Sequence, residues 1–119
     1  MSVFLSYKKG SMKNLDEDGD GVPDTLVFTL INSIGTGSAY VTIKVFVDGV
    51  EFTDKTLMSI AGEEFIKLKP DMYVSSTYGD EITFKILHKG EIKPGRHKVK
   101  LVGTIDGFEG KMEFEDKDS

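Results

Sequence analysis

The sequence predicts an all-β protein, a single antiparallel β-sandwich of about seven to eight strands over residues 1–119. Apolar residues recur mainly with a period of two, which is typical of strands that bury one face. Glycine, aspartate and asparagine interrupt this pattern about every 8 to 12 residues, as turns do between short strands. No long segment shows the apolar spacing of an amphipathic helix. A chain of 119 residues is long enough for one domain and too short for two ordinary ones.

Four strands are predicted in the first half of the chain. The first covers 3–7, where apolar residues alternate. The second, at 26–31, is apolar on both faces and is therefore predicted to be central. The third, at 40–47, directs valine and isoleucine to one face. The Asp-Gly pair at 48–49 is a strong hairpin signal and connects it to a fourth strand at 50–57.

The second half is predicted to contribute the remaining strands, at 63–69, 81–88, 96–105 and around Phe114. Between two of them, residues 70–79 carry two tyrosines and a methionine. This segment either caps the open end of the sandwich or contacts a partner, because tyrosine and methionine are enriched at interfaces. The charged residues 115–119 are expected to form a frayed acidic tail.

Composition excludes several classes of function. The chain has 15 lysines and arginines against 20 aspartates and glutamates, and this net charge of −5 argues against a nucleic-acid partner. The lack of cysteine excludes disulfides and thiolate sites. The longest uncharged stretch, 25–43, has turn residues in its middle, so no membrane span is predicted. Because no secretory signal is recognised, an extracellular function requires the chain to be part of a longer surface protein.

A non-catalytic protein is expected. His88 and His97 are the only histidines, and each lies beside a lysine at the end of a predicted strand. Surface positions are expected for both, and no nucleophile signature accompanies them. The acidic residues that a glycosidase would use in pairs fall at strand starts or on exposed faces.

The segment 16–24, Asp-Glu-Asp-Gly-Asp-Gly-Val-Pro-Asp, has the spacing of a calcium-binding loop. Carboxylates occupy loop positions 1, 3, 5 and 9, a glycine at position 6 allows a sharp turn, and the carbonyl group at position 7 can point inward. The repulsion between four such carboxylates makes a cation the expected stabiliser of the loop. The predicted metal ligands are Asp16, Asp18, Asp20, the carbonyl oxygen of Val22, and Asp24.

Two departures separate this segment from a helix-flanked calcium hand. Position 12 is Val27 rather than glutamate, and both flanks are predicted strands. The loop, which with its flanks covers 14–25, resembles instead the calcium loops of thrombospondin type 3 repeats, which run directly into a strand. Water, Asn14 or a distant acid is expected to supply the missing ligand. The expected affinity, on the order of 0.1 to 1 mM, is that of sites that fill outside cells.

The expected role of the calcium ion is structural. The connection 10–24 shows no predicted secondary structure of its own. Unsupported connections of this length are uncommon in compact domains. A bound calcium ion is therefore expected to supply the missing order and to fix one end of the sandwich.

Turn motifs in a fixed order carry a family resemblance over residues 26–105. They are Asn32-Ser-Ile-Gly35 after one strand, Asp48-Gly49 after the next, the turn Gly62-Glu63, and Pro94-Gly95 before a strand of alternating apolar residues. This order resembles the cell-adhesion-related CARDB family of Ig-like domains in archaeal and bacterial surface proteins. The resemblance implies an Ig-like sandwich at the cell surface or outside the cell, in contact with a protein or a surface glycan.

Two other contexts stay open, and the strand order also resembles the first of them. One is the soluble Ig-like domain of an archaeal pilin-like or archaellum-associated assembly protein. The other is an accessory domain of a secreted enzyme. The architecture of the parent chain distinguishes the three, because repeats, a single anchor helix or a catalytic domain would lie beside the sandwich.

Overall fold

A computed structural model describes residues 5–118 and confirms the all-β class. Within this range there are eleven β-strands, one 3-10 turn at Thr53–Lys55 and no α-helix. No helix of the described part is long and apolar enough to cross a membrane. The start of the first predicted strand, at Val3, lies outside the described residues. The strands are β1 Ser6–Tyr7, β2 Lys13–Leu15, β3 Thr25–Ile31, β4 Gly37–Val47, β5 Val50–Glu51, β6 Thr56–Ile60, β7 Ile66–Lys67, β8 Met72–Ser76, β9 Glu81–Leu87, β10 Arg96–Ile105 and β11 Phe108–Lys117.

The strands form two antiparallel sheets that enclose one core. The first sheet has the order β1-β3-β9-β6-β7, and β2 also pairs with β3. The second has the order β11-β10-β4-β5, and β8 also pairs with β4. When β1, β3, β4, β6, β9, β10 and β11 are lettered A to G, the sheets read ABED and CFG, which is the strand order of an immunoglobulin domain. The sandwich prediction is therefore confirmed.

β3 is an interior strand of the first sheet, as its two apolar faces predicted. It pairs with β9 on one side and with β1 and β2 on the other. Leu26, Phe28 and Leu30 are fully buried, and the ring centroid of Phe28 lies 5.3 Å from that of Phe84 on β9. Burial of each such side chain contributes about 1.5–3 kcal/mol to stability. The second sheet contributes Val45, Val47, Val99 and Leu101 to the same core.

The structure has more strands than the sequence pattern reveals. Two short strands lie in segments without a strand pattern: β2, within the predicted connection 10–24, and β8, within 70–79. The predicted strand 50–57 is divided by the 3-10 turn, because the chain leaves β5 in one sheet and enters β6 in the other. Phe52 is buried at this crossing, and its carbonyl group accepts a 2.7 Å hydrogen bond from Thr56 Oγ1.

The expectation of a frayed tail is wrong for residues 115–118, and Ser119 lies outside the described residues. β11 continues to Lys117 and is paired with β10 along its whole length. The carboxylate of Asp116 accepts hydrogen bonds from Tyr7 Oη at 2.7 Å and from the Gly10 amide at 2.9 Å. The tail is therefore held by both sheets, because its inward-facing residues have partners near the start of the chain.

Candidate metal centre

The acidic segment 16–24 is the loop of a β-hairpin formed by β2 and β3. Leu15 and Thr25 are register partners at its base, and the Asp24 amide donates to the Leu15 carbonyl group at 2.7 Å. Because β2 is a strand and Met12 just before it is fully buried, the expectation of a connection without secondary structure is wrong. Strand pairing therefore already orders the base of the loop.

Three of the predicted ligands converge in this loop. Asp16, Asp18 and Asp24 each place one carboxylate oxygen within 4.8 Å of the other two. Oxygen ligands lie about 2.3–2.6 Å from a calcium ion, so ligands on opposite sides of it are about 5 Å apart. The three carboxylates therefore fit around one calcium ion. Asp16 and Asp18 are exposed, which leaves room for water as the remaining ligands.

Backbone amides hold these carboxylates in place. Asp16 accepts hydrogen bonds from the amides of Gly19 and Gly21 at 2.9 and 2.7 Å. Asp24 accepts them from the amides of Glu17 and Asp18 at 3.3 and 3.1 Å. Gly21 has a φ of 89°, a conformation that residues with a side chain rarely adopt. The sharp turn that the sequence assigns to this glycine is therefore present.

The fourth predicted carboxylate, that of Asp20, is placed differently. The carboxylate of Asp20 accepts a 2.9 Å hydrogen bond from the Val22 amide, and Asp20 is not among the converging residues. Its side chain folds back on the backbone two residues later, which is the common local turn of aspartate. The side chain of Val22 lies close to Gly90. Its Cγ1 is 3.5 Å from the point where a Cβ atom would stand on that glycine. The loop therefore rests against the turn that follows β9.

Asn14, expected as a possible ligand, has another role. Its Oδ1 lies 2.8 Å from His88 Nε2, and its Nδ2 donates to the Ile92 carbonyl group at 2.9 Å. Both ends of the amide are therefore engaged beside the loop and not in it. Glu17 is an additional acid within the loop, but its carboxylate forms an ion pair with Lys85, with Oε2 3.6 Å from Nζ.

The converging carboxylates have different proton affinities. The Gly21 amide is the main cause that lowers the pKa of Asp16, and the Thr25 hydroxyl does the same for the pKa of Asp24. For Asp18 the Asp20 amide has the largest single effect, a lowering. The hydrogen bond with Asp16, desolvation and the Asp20 carboxylate outweigh it and raise the pKa of Asp18 to about 6. A proton on Asp18 therefore relieves the same repulsion that a metal ion would relieve.

His88 is fully buried, so the expectation of a surface histidine is wrong. Its Nδ1 accepts hydrogen bonds from the amides of Gly90 and Ile92, both at 3.1 Å, so Nε2 carries the proton and donates to Asn14. Burial lowers the pKa of His88, which favours this neutral form. The His88 and Lys89 amides donate to the Asp24 carbonyl group at 2.9 and 3.1 Å, so the histidine organises the wall of the loop.

His97 is also buried, with 7 % of its surface exposed, and the surface expectation fails here too. Its Nδ1 lies 2.7 Å from Asp48 Oδ2, and its Nε2 lies 2.7 Å from the Lys93 carbonyl oxygen. Both ring nitrogens therefore lie within hydrogen-bonding distance of an oxygen atom. Asp118 Oδ2, buried and without a hydrogen bond, lies 3.7 Å from the same ring. No sequence signal marks this cluster, because its members are far apart in the chain.

Asp48 has a lowered pKa because of two contacts in this cluster. Burial acts in the opposite direction and is the largest single effect. The Lys98 amide, 3.0 Å from Asp48 Oδ1, and the His97 ring outweigh burial together. The carboxylate is therefore stabilised in its charged form by its own chain, which is not the case for Asp18.

The tyrosine-containing segment faces two directions. On β8, Tyr73 is 63 % exposed and lies with its ring centroid 4.9 Å from that of Tyr40 on β4. Val74 points inward to a cavity of about 370 Å³ between the sheets. No titratable side chain of the described residues lines this cavity. The segment thus covers one end of the core with Val74. On the outer face, its Tyr73 forms an exposed aromatic pair with Tyr40 of β4.

Comparison with known proteins assigns no family to the chain. No protein-family model matches it, and no curated protein matches it. A family 123 glycoside hydrolase from Clostridium perfringens is similar over 94 % of this chain with 13 % identity and a TM-score of 0.48, and the chain spans only 26 % of that hydrolase. A conjugative transposon lipoprotein from Bacteroides eggerthii is similar over 97 % of this chain and 98 % of its own, with 12 % identity and a TM-score of 0.44. Similarities this distant identify neither a family nor an activity.

Proposed function

We propose that the chain is a non-catalytic interaction module of an extracellular or cell-surface protein and that a calcium ion holds its loop at 16–24. The convergence of Asp16, Asp18 and Asp24 within 4.8 Å is the observation that carries this proposal. Among the described residues, no basic side chain forms an ion pair with any of the three. A cation from the solvent would neutralise them.

Calcium suits this loop better than magnesium does. Calcium accepts six to eight oxygen ligands in a flexible arrangement, whereas magnesium requires octahedral geometry and gives up its waters reluctantly. The loop offers three converging carboxylates and an opening to solvent. So few protein ligands support an affinity on the order of 0.1 to 1 mM, a range in which calcium fills the site outside cells and not in a cytosol.

The ion would connect three strands at one end of the sandwich. Its ligands lie between β2 and β3, and the Asp24 carbonyl group accepts hydrogen bonds from the residues that follow β9. The sheet faces and edges stay available for a protein or a surface glycan, which is the kind of partner that the CARDB resemblance implies. In this proposal the metal ion stabilises the module and takes no part in chemistry.

The test is a calcium titration of the chelator-treated chain, followed by thermal unfolding. At a calcium concentration about ten times the dissociation constant, binding adds about 1.4 kcal/mol of stability, so the Tm is expected to rise by about 5 °C. Magnesium at the same concentration is expected to give a smaller rise, because it keeps its own waters.

Two variants locate the site. Asp18→Asn removes one converging carboxylate and is expected to abolish the calcium-dependent rise. Asp20→Asn removes the same charge from the same loop, but outside the converging group, and is expected to retain most of the rise. No rise well above about 1 mM calcium, or an equal loss in both variants, contradicts the proposed site.

A further inference from the structure

The edges of the two sheets differ greatly in length. β11 forms one edge of the second sheet with ten residues and, among the strands of residues 5–118, is paired with β10 only. Every other edge in the described part of the chain is formed by strands of two to five residues: β1, β2, β5, β7 and β8. Short edge strands protect a sheet from pairing with another chain, whereas a long one offers a template for it. The described part of the molecule therefore has one long edge that is open to strand addition.

The odd-numbered residues of β11 direct their backbone groups away from the molecule. In an antiparallel pair, hydrogen bonds to the neighbouring strand are made by alternate residues. The Asp118 amide donates to the Gly95 carbonyl group at 3.0 Å, which assigns the even-numbered residues to β10. At the odd-numbered Lys117, the amide instead donates to the side chain of Asp116 at 2.8 Å. The residues whose backbone faces outward are Glu109, Lys111, Glu113, Glu115 and Lys117.

Several of these charges lack an opposite charge across from them in their own sheet. Glu113 lies opposite Lys100, and Glu115 lies opposite Lys98 and contacts Arg96 Nε at 2.8 Å. The remaining three have other neighbours on β10: Glu109 faces Thr104, Lys111 faces Val102 and Lys117 faces Arg96. Directly opposite charges stabilise neighbouring strands, and like charges destabilise them.

A second copy of the chain supplies the missing charges. In an antiparallel pair of β11 strands with a two-fold axis at Glu113, Glu109 faces Lys117 of the second copy and Lys111 faces its Glu115. Four of the five outward pairs then join opposite charges, and only the central Glu113 pair does not. Shifting this register by two residues in either direction brings glutamate opposite glutamate or lysine opposite lysine at more positions.

We infer that β11 pairs with β11 of a second copy in this register and extends the second sheet across two molecules. The half-buried side chains of Met112 and Phe114 then face each other across the two-fold axis and cover each other. Lys100 lies beside each central glutamate and offsets the repulsion between them. Alternating charges also protect edge strands from pairing, and that role alone would keep the chain monomeric.

The test measures self-association of the chain by sedimentation velocity over a wide range of protein concentration, in chelator so that calcium plays no part. A reversible dimer is expected. Lys111→Glu places glutamate opposite glutamate at two positions and is expected to weaken the dimer by about tenfold or more. The double variant Lys111→Glu with Glu115→Lys restores both pairs and is expected to recover the dimer.

Two further variants complete the test. Lys44→Glu makes the same change of net charge on β4, away from the edge, and is expected to leave the dimer unchanged. Glu113→Gln removes the central repulsion and is expected to tighten it. A monomer at every concentration, failure of the double variant to recover the dimer, or an equal effect of Lys44→Glu overturns the inference. Circular dichroism and Tm confirm that each variant is folded.

Discussion

The loop at 16–24 and the cluster around His97 both gather aspartates, but only the cluster places a buried histidine between them. The ring of His97 lies between Asp48 and Asp118, and its exposed fraction is 7 %. In the loop, Asp16 and Asp18 are exposed. Their carboxylates accept hydrogen bonds from backbone amides and interact with each other. The acids of the cluster therefore meet a side chain of the same chain, whereas two of the three converging carboxylates of the loop face the solvent.

The largest effect is expected from breaking the cluster around His97. His97→Phe removes both ring nitrogens and their hydrogen bonds while it fills the space. The carboxylates of Asp48 and Asp118 are left without their partner, which is expected to cost about 2–3 kcal/mol in the free energy of unfolding. Urea denaturation measures this loss. Asp118→Asn, which keeps the shape and the bond from the Gly95 amide, is the control and is expected to cost less than half as much. Equal losses in the two variants would mean that packing, and not charge, holds the cluster.

A smaller effect is expected when protons compete with calcium in the loop. The pKa of Asp18 is raised to about 6, so one proton must leave this site when calcium binds below that pH. Lowering the pH from neutral to about 5 is expected to weaken calcium binding about tenfold. Calorimetry in two buffers of different ionisation enthalpy measures the proton release directly. Binding that does not change over this pH range would contradict the role of Asp18 as a ligand.

The smallest effect is expected in the metal-free loop. The pKa of Asp18 is higher in the folded chain than its ordinary value, so its contribution to stability is present at low pH and is lost as the pH rises through about 6. Above this pH the folded chain carries a repulsion that Asp18→Asn lacks. The variant is therefore expected to have a slightly higher Tm than the wild type at neutral pH in chelator, and the two are expected to agree near pH 4. A lower Tm of the variant at neutral pH would show that the charged carboxylate is stabilising.

The sequence predicts the long strands well, because each carries its own pattern. β3, β4, β9 and β10 have seven to eleven residues, enough for a clear period of two. β2 has three residues, too few for a pattern, and its place depends on pairing with β3. The spacing of the acidic loop likewise predicts that Asp16, Asp18 and Asp24 meet, because their contacts are local.

Burial of the two histidines could not be predicted from their neighbours in sequence. The partner of His97, Asp48, is 49 residues away, and the partner of His88, Asn14, is 74 residues away. The acidic tail is a similar case. Its many charges indicate a solvated segment, but alternate residues of β11 point inward and have partners near the start of the chain. Sequence patterns reveal which face is buried, but not which polar groups meet across the fold.

The contact between Tyr7 and β11 has a consequence for how the protein folds. The Tyr7 ring stacks on Phe114 with centroids 3.9 Å apart, and its hydroxyl group donates to Asp116, 109 residues further along the chain. Contacts between residues so far apart in sequence close a large loop and slow the folding of β-proteins. On a ribosome, the start of the chain must wait for nearly the whole remaining sequence before this contact can form. A chain interrupted before β11 therefore lacks the contacts of Tyr7 with Phe114 and Asp116.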